Sequence, residues 1–284
     1  MPEQFKTRRI QVLGDQRHAK PVLPTDLNLW SRMRSEAATK AEQEPILGSY
    51  FHATILNHQS FRAALSFRLA SKLDTPMLPT MMIRDVVEEA MEADPDILAA
   101  AEIDILATYA RDPACPDLST PFLFFKGFHA LQAHRVAHWL WNQGRTTLAA
   151  FFQNQIGAGL GVDFHPAARV GSGIMLDHAT GIVVGETAVI EDDVSILHSV
   201  TLGGSGKESG DRHPKIRRGV LLAAGCKVIG NIEVGVGAKV GAGSVVLHDV
   251  PAHTTVAGVP AVVVGRPTAS APALDMDQSL EPRE

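Results

Sequence analysis

The sequence predicts an α+β protein: an all-α amino-terminal domain, then a parallel β-helix of six-residue repeats with an extruded loop and a flexible carboxy-terminal tail. Three observations carry the prediction. Apolar residues recur at helical spacing over about residues 27–152. Past Phe164 that period stops. A step of six then meets Phe164, Val170, Leu176, Ile182, Ala188, Val194 and Val200, and later Ile216, Leu222, Val228, Val234, Val240 and Val246. In a chain that is 45% hydrophobic, thirteen such hits arise by chance about 3 times in 100,000 for one register. Glycine often follows the repeated aliphatic, as in Val170-Gly171 and Val234-Gly235. Small residues at that period suit the corners of a triangular coil whose aliphatics point inward. Third, the phase breaks after Val200. The next inward position falls at 206, yet the pattern restarts at Ile216, so ten residues within "GGSGKESGDRHPK" are expected to leave the coil as a polar loop.

Taken in order, residues 1–24 read as a solvated extension, basic but without the apolar run of a secretory signal. Residues 25–160 form the helical domain. Helical periodicity runs over Leu29–Gln43, 46–73 and Thr80–Ala93. Asp94 reads as the N-cap of the next helix, with Pro95 at its first position and its end at Asp112-Pro113. Another long helix is expected from Thr120-Pro121 to Gly144. The β-helix occupies 161–265, and the Pro-, Ala- and charge-rich segment 266–284 reads as a flexible tail.

Composition excludes several classes. The 284 residues carry a net charge of −5 and no basic block, which argues against a nucleic-acid partner. No apolar run approaches the ~20 residues of a membrane span. The two cysteines, Cys115 and Cys226, match no metal or redox spacing and read as reduced thiols. The chain is expected in the cytoplasm.

Polar residues beside an apolar repeat need a reason. Asp163, His165, Asp177, His178, Glu186, His198, Arg212 and His213 all lie there, and for any one of them a solvated outer face is as good a reading as function. Asp163 and His178 stand apart, being 15 residues from each other and so close to one 18-residue coil. Stacked coils lie about 4.8 Å apart. A carboxylate on one ring nitrogen fixes the tautomer and leaves the other as a base, so His178 is a candidate base and Asp163 its orienting partner. No metal is expected: a three-histidine zinc site would need histidine at 218, which is Arg218. His134 and His138, spaced i, i+4, have no third ligand in sequence and read as packing or subunit-contact residues.

"DPACPDLSTPFLFFKGFHALQAHRVAHWLWNQG", "VDFHPAARVGSGIMLDHATGIVVGETAVIEDDVSIL", "TLGG", "GDRHPKIR" and "AGVPA" closely resemble the serine acetyltransferases of cysteine biosynthesis. The resemblance implies a left-handed β-helix, and acetyl transfer from acetyl-CoA, a co-substrate rather than a bound cofactor, to the hydroxyl of L-serine. It implies trimers through the β-helices that pair as hexamers through the helical domains. His178 resembles the general base and Asp163 its partner. Asp112 and Asp177 resemble residues that hold serine, Arg212 the clamp on its carboxylate, and His213 a further lining residue. Gly204, Ala224 and Ala242 are the expected CoA contacts, and backbone N–H groups of Leu202 to Gly204 the expected oxyanion donors. The pocket is expected to join both domains and two subunits. L-Cysteine is the implied feedback inhibitor, acting through the tail. O-Acetylserine sulfhydrylase is an implied partner of members that end in isoleucine; this sequence ends in "DQSLEPRE". Rival readings are a hexapeptide acetyltransferase for a sugar or antibiotic, and a non-catalytic assembly scaffold.

Overall fold

The computed structural model of the chain describes residues 28–206 and 209–280. The expected extension over 1–24 lies outside the described residues.

Helix α1 (Leu29–Gln43) opens on Asn28, whose side chain accepts a bond from the Ser31 N–H, and it buries Leu29, Met33 and Ala37 at i, i+4 spacing. The unbroken helix expected over 46–73 is divided. Helix α2 (Gly48–Phe51) runs into a π turn at His52–Leu56, and α3 (Phe61–Leu73) starts afresh from Ser60. The Ser60 hydroxyl accepts from the Ala63 N–H, a new cap inside a continuous apolar period. Helix α4 (Thr80–Ala93) and α5 (Pro95–Arg111) follow, the latter capped by Asp94 and ended at Asp112 as the residues predict. The next expected helix is also two. Phe125, at φ −87° and ψ 109°, separates α6 (Ser119–Phe124) from α7 (Lys126–Asn142). Helix α8 (Thr146–Leu160) ends on Gly161 in the left-handed region, at φ 69°.

Five coils then stack. The first three are β1 (Val162–Phe164), β2 (Arg169–Val170) and β3 (Met175–Leu176); β4 (Ile182–Val184), β5 (Val189–Ile190) and β6 (Ser195–Ile196); and β7 (Thr201–Gly203), β8 (Lys215–Ile216) and β9 (Leu221–Leu222). The fourth is β10 (Lys227–Ile229), β11 (Glu233–Val234) and β12 (Lys239–Val240). The last is β13 (Val245–Val246) and β14 (Thr255–Gly258), against which β15 (Ala261–Gly265) folds back antiparallel. The strands form three flat sheets: sheet A holds β1, β4, β7, β10 and β13; sheet B holds β2, β5, β8 and β11; sheet C holds β3, β6, β9, β12, β14 and β15. Every hexad aliphatic is buried except Val170, which is half-buried and packed on the core.

The register corrects the expected loop. Val184 pairs with Leu202 and Ile216 with Val234, 18 residues apart. Ile190 pairs with Ile216, 26 apart, so eight extra residues leave at the loop before β8 rather than ten. The other two lie earlier: Phe164 pairs with Val184 and Leu176 with Ile196, 20 residues apart. They sit in the turn after β3, which carries Asp177 and His178. A step of six hides this because strand positions two apart both face inward. The count therefore slides from one buried column to the other after Leu176.

The two domains are bolted together at buried charges. Asp104, fully buried in α5, accepts from Gln132 Nε2 at 2.9 Å, from Arg135 at 2.7 Å and from the Ile174 N–H at 2.9 Å. Arg111 donates to the Gly173 carbonyl at 2.8 Å and to Ser195 Oγ at 3.2 Å, and pairs with Asp193 at 3.4 Å. Burial brings the Arg111 pKa down to about 10, which leaves it charged at neutral pH. This grip fixes the neighbouring Asp112 against the β-helix.

The segment expected as a tail is placed against the β-helix as far as residue 280. Helix α9 (Pro272–Asp275) lies over sheet C, with Ala273 fully buried. Its Ala273 carbonyl accepts from Ser195 Oγ at 2.8 Å and its N–H donates to Gly219 at 3.2 Å. Lys239 Nζ donates to the Ser279 carbonyl.

Candidate active site

The expected site residues gather at two corners of the coil, at opposite ends of sheet A. At the corner between sheets C and A, the turn Asp177-His178-Ala179-Thr180-Gly181 holds the two inserted residues. His178 and Ala179 both take positive φ, 54° and 61°. Two successive non-glycine residues there are strained, and such strain persists only where surrounding structure fixes it. Helix α7 does so. Lys126 Nζ donates to Thr180 Oγ1 at 2.6 Å. A Cβ on Gly127 would collide with the Leu176 carbonyl oxygen and lie 3.1 Å from Ala179 Cβ, so the start of α7 is pressed onto the turn.

His178 is 75% exposed at that corner, its Nε2 3.8 Å from Asp177 Oδ1. Asp112 reaches the same corner from the end of α5. Burial raises the Asp177 pKa above its usual value, and the Asp112 charge raises it further, while His178 opposes both. Two carboxylates beside an open histidine make a place for a cationic group. His198, one coil further, stacks edge-on to His178 with ring centroids 5.9 Å apart.

At the corner between sheets A and B lie His165, Glu186, Thr187, Arg212 and His213. Arg212 is paired with Glu186 at 2.6 Å, and this bond holds the Glu186 carboxyl below its usual range. His213 is buried; its Nδ1 lies 2.9 Å from Thr187 Oγ1, and burial and then Arg212 lower its pKa. Gly204 belongs here too: a Cβ on it would stand 3.2 Å from Arg212 Cγ and from His213 Nε2. Ala224 and Ala242 lie at the other corner. Leu176, Ile196, Leu222 and Val240 are in register, and the bonds from Ser199 to Thr180, Gly225 to His198 and Gly243 to Ala224 place Thr180, His198, Ala224 and Ala242 in one column, with His178 in the lengthened turn beside it.

One expected contact is missing. Asp163 faces outward from β1 and accepts from Gln153 Nε2 at 2.7 Å. No hydrogen bond or ion pair joins it to His178 among the described residues. The cause is the longer coil: Asp163 pairs with Val183, so the two residues sit five positions out of register, not three. His134 is buried with Nε2 3.2 Å from the Ala168 carbonyl, and burial pushes its pKa down to about 3. It packs the domain junction. Among the described residues no group of three or more His, Cys, Asp or Glu is arranged to hold a metal ion. Cys115 and Cys226 are buried and form no disulfide with each other. No described helix is long and apolar enough to cross a membrane. Sequence reasoning missed the Lys126–Thr180 and Gly127 supports, since nothing in a helical period marks where that helix breaks.

The family model for the serine acetyltransferase amino-terminal region matches residues 29–133. The serine acetyltransferase of Escherichia coli K12 is 62% identical over 250 residues, covering 88% of this chain and 92% of that protein. The chain belongs to the serine acetyltransferase family. It is an acyltransferase, and the family's co-substrate is acetyl-CoA. The crystal structure of serine acetyltransferase from Vibrio cholerae is 63% identical, with TM-score 0.87, covering 88% of this chain and 97% of that one. A serine acetyltransferase solved in complex with cysteine is 56% identical, with TM-score 0.87, covering 89% and 98%.

Proposed function

We propose that acetyl transfer from acetyl-CoA to L-serine is carried out here between two copies of the chain, the His178 corner of one meeting the Arg212 corner of the next. The carrying observation is the split itself: acid–base and ammonium-binding groups at one end of sheet A, the carboxylate-binding cation at the other. One chain cannot close both ends on a molecule as small as serine; a closed ring of copies can. Asp112 and Asp177 take the ammonium, and Arg212 exchanges Glu186 for the substrate carboxylate in a planar two-point contact. His178 removes the hydroxyl proton as the oxygen attacks the thioester carbon; the C–S bond breaks and the proton passes to the departing sulfur. The resemblance assigns Asp163 to orient His178. In that role its carboxylate exchanges Gln153 for the exposed His178 ring. Pantetheine lies along the Ala224–Ala242 column, with Gly204 of the neighbouring copy opposite.

The test is an acceptor screen that follows thiol release from acetyl-CoA, with serine, homoserine and sugars side by side. Serine is expected to be strongly preferred, and L-cysteine, with the same ammonium and carboxylate, to compete with it. A sugar preferred over serine, or no thiol release with any acceptor, would overturn the reading. Cysteine inhibition that serine fails to relieve would separate the inhibitor site from this pocket.

A further inference from the structure

We infer that His198 is a further catalytic residue, whose ring N–H donates a hydrogen bond to the departing sulfur of CoA. The inference rests on the reading that acetyl-CoA lies along the Ala224–Ala242 corner. Successive coils put His198, Ala224 and Ala242 at equivalent corner positions, about 4.8 Å apart per coil, and the lengthened turn of the coil before them carries His178, whose ring lies 5.9 Å from that of His198. Three of the four have assigned work: the base at one end and two small residues that leave room for an extended chain. His198 fills the step between them. A thioester that enters past Ala242 and Ala224 with its acyl carbon at His178 carries its sulfur on the His198 side, because sulfur precedes that carbon along the chain.

The ring is held for such a role. It meets His178 edge to face, with an interplanar angle of 72°. The backbone is pinned as well, its carbonyl accepting from the Gly225 N–H at 2.9 Å and the Ser199 N–H donating to Thr180 at 2.8 Å. Nδ1 is buried with no hydrogen-bond partner among the described residues. A proton there would be an unsatisfied buried donor, a costly arrangement. In the inferred role the ring proton sits on Nε2, so that the ring acts as a donor rather than a second base. When the C–S bond breaks, the electron pair stays on sulfur until His178 returns the proton. A donor aimed at that sulfur stabilises charge present only late in the reaction. His198 neither gains nor loses a proton overall.

Binding of CoA and of desulfo-CoA to wild type, His198→Ala, His198→Gln and Ala242→Trp, measured by calorimetry, tests this, with thermal melts to verify folding. Wild type is expected to bind CoA about fivefold more tightly than desulfo-CoA, the net worth of one neutral hydrogen bond to the thiol sulfur. His198→Ala is expected to reduce that ratio to near one and to lower kcat about 10²-fold. His198→Gln, which keeps an N–H donor, recovers part of both. A folded His198→Ala variant with an unchanged CoA to desulfo-CoA ratio overturns the inference, since a packing role would weaken both ligands alike. Ala242→Trp separates the two readings. If it weakens both ligands equally while the ratio is insensitive to His198, only the sulfur contact fails. If it weakens neither, the corner does not hold CoA and the underlying reading fails with it.

Discussion

His178 owes its position to two residues that lengthen one turn and hold it at positive φ. The expected effect of His178→Asn is a fall in kcat of about 10²–10⁴-fold, the contribution of a positioned base. Serine KM should move far less, and near-normal turnover in the folded variant would remove the assignment. Arg212→Lys keeps the charge and loses the planar fork. Steady-state kinetics should show a raised serine KM with CoA binding largely intact; an unchanged KM would take Arg212 out of the pocket. The identities of these residues were legible through short motifs such as "LDHATG" and "GDRHPKIR". The Asp163 contact was not, because it depended on coil length, and two inserted residues change the stagger without disturbing a buried aliphatic.

Helix α7 shows what an element contributes to that turn. The break at Phe125 brings Lys126 and Gly127 against residues 176–180. In Gly127→Ala the new methyl meets a backbone carbonyl, so either the helix or the turn must shift, with about 1–3 kcal/mol of overpacking to absorb. A lowered Tm together with a kcat loss at unchanged CoA affinity is the expected pair of readings. An unaltered kcat would show that the turn does not lean on α7. The same helix buries His129 and His134, each with its pKa pushed down by burial to about 3. Unfolding restores values near 6.5, so the unfolded chain binds more protons across that window. The stability contributed by these neutral rings is present above pH 6.5 and is lost as pH falls toward about 3. Tm should decline from pH 7 to pH 5, and His134→Gln should make the decline shallower. An apolar period predicts a helix well but is silent about its breaks. Two of the expected helices proved to be pairs, divided at Ser60 and at Phe125, where a cap or an extended residue interrupts a stripe that continues past it.

At the scale of the whole molecule the decisive feature is that one chain holds two unlike half-sites at opposite ends of sheet A. If each working pocket joins the His178 corner of one copy to the Arg212 corner of the next, the two halves can be inactivated in different chains and still complement. Take His178→Asn in one chain and Arg212→Ala in another; each assembly alone has every pocket damaged. In a closed ring formed from an equal mixture, a pocket is intact when a chain with its histidine precedes a chain with its arginine. That happens for about one junction in four under random assembly. Co-expressed and co-purified chains should therefore show about a quarter of wild-type kcat per subunit, with a serine KM close to that of wild type. Mixing the separately purified variants should restore little until subunits exchange. A pocket built within one chain predicts no recovery at all, because every chain would still lack either its base or its clamp. Recovery that tracks the mixing ratio with a maximum at equal amounts would identify the shared pocket.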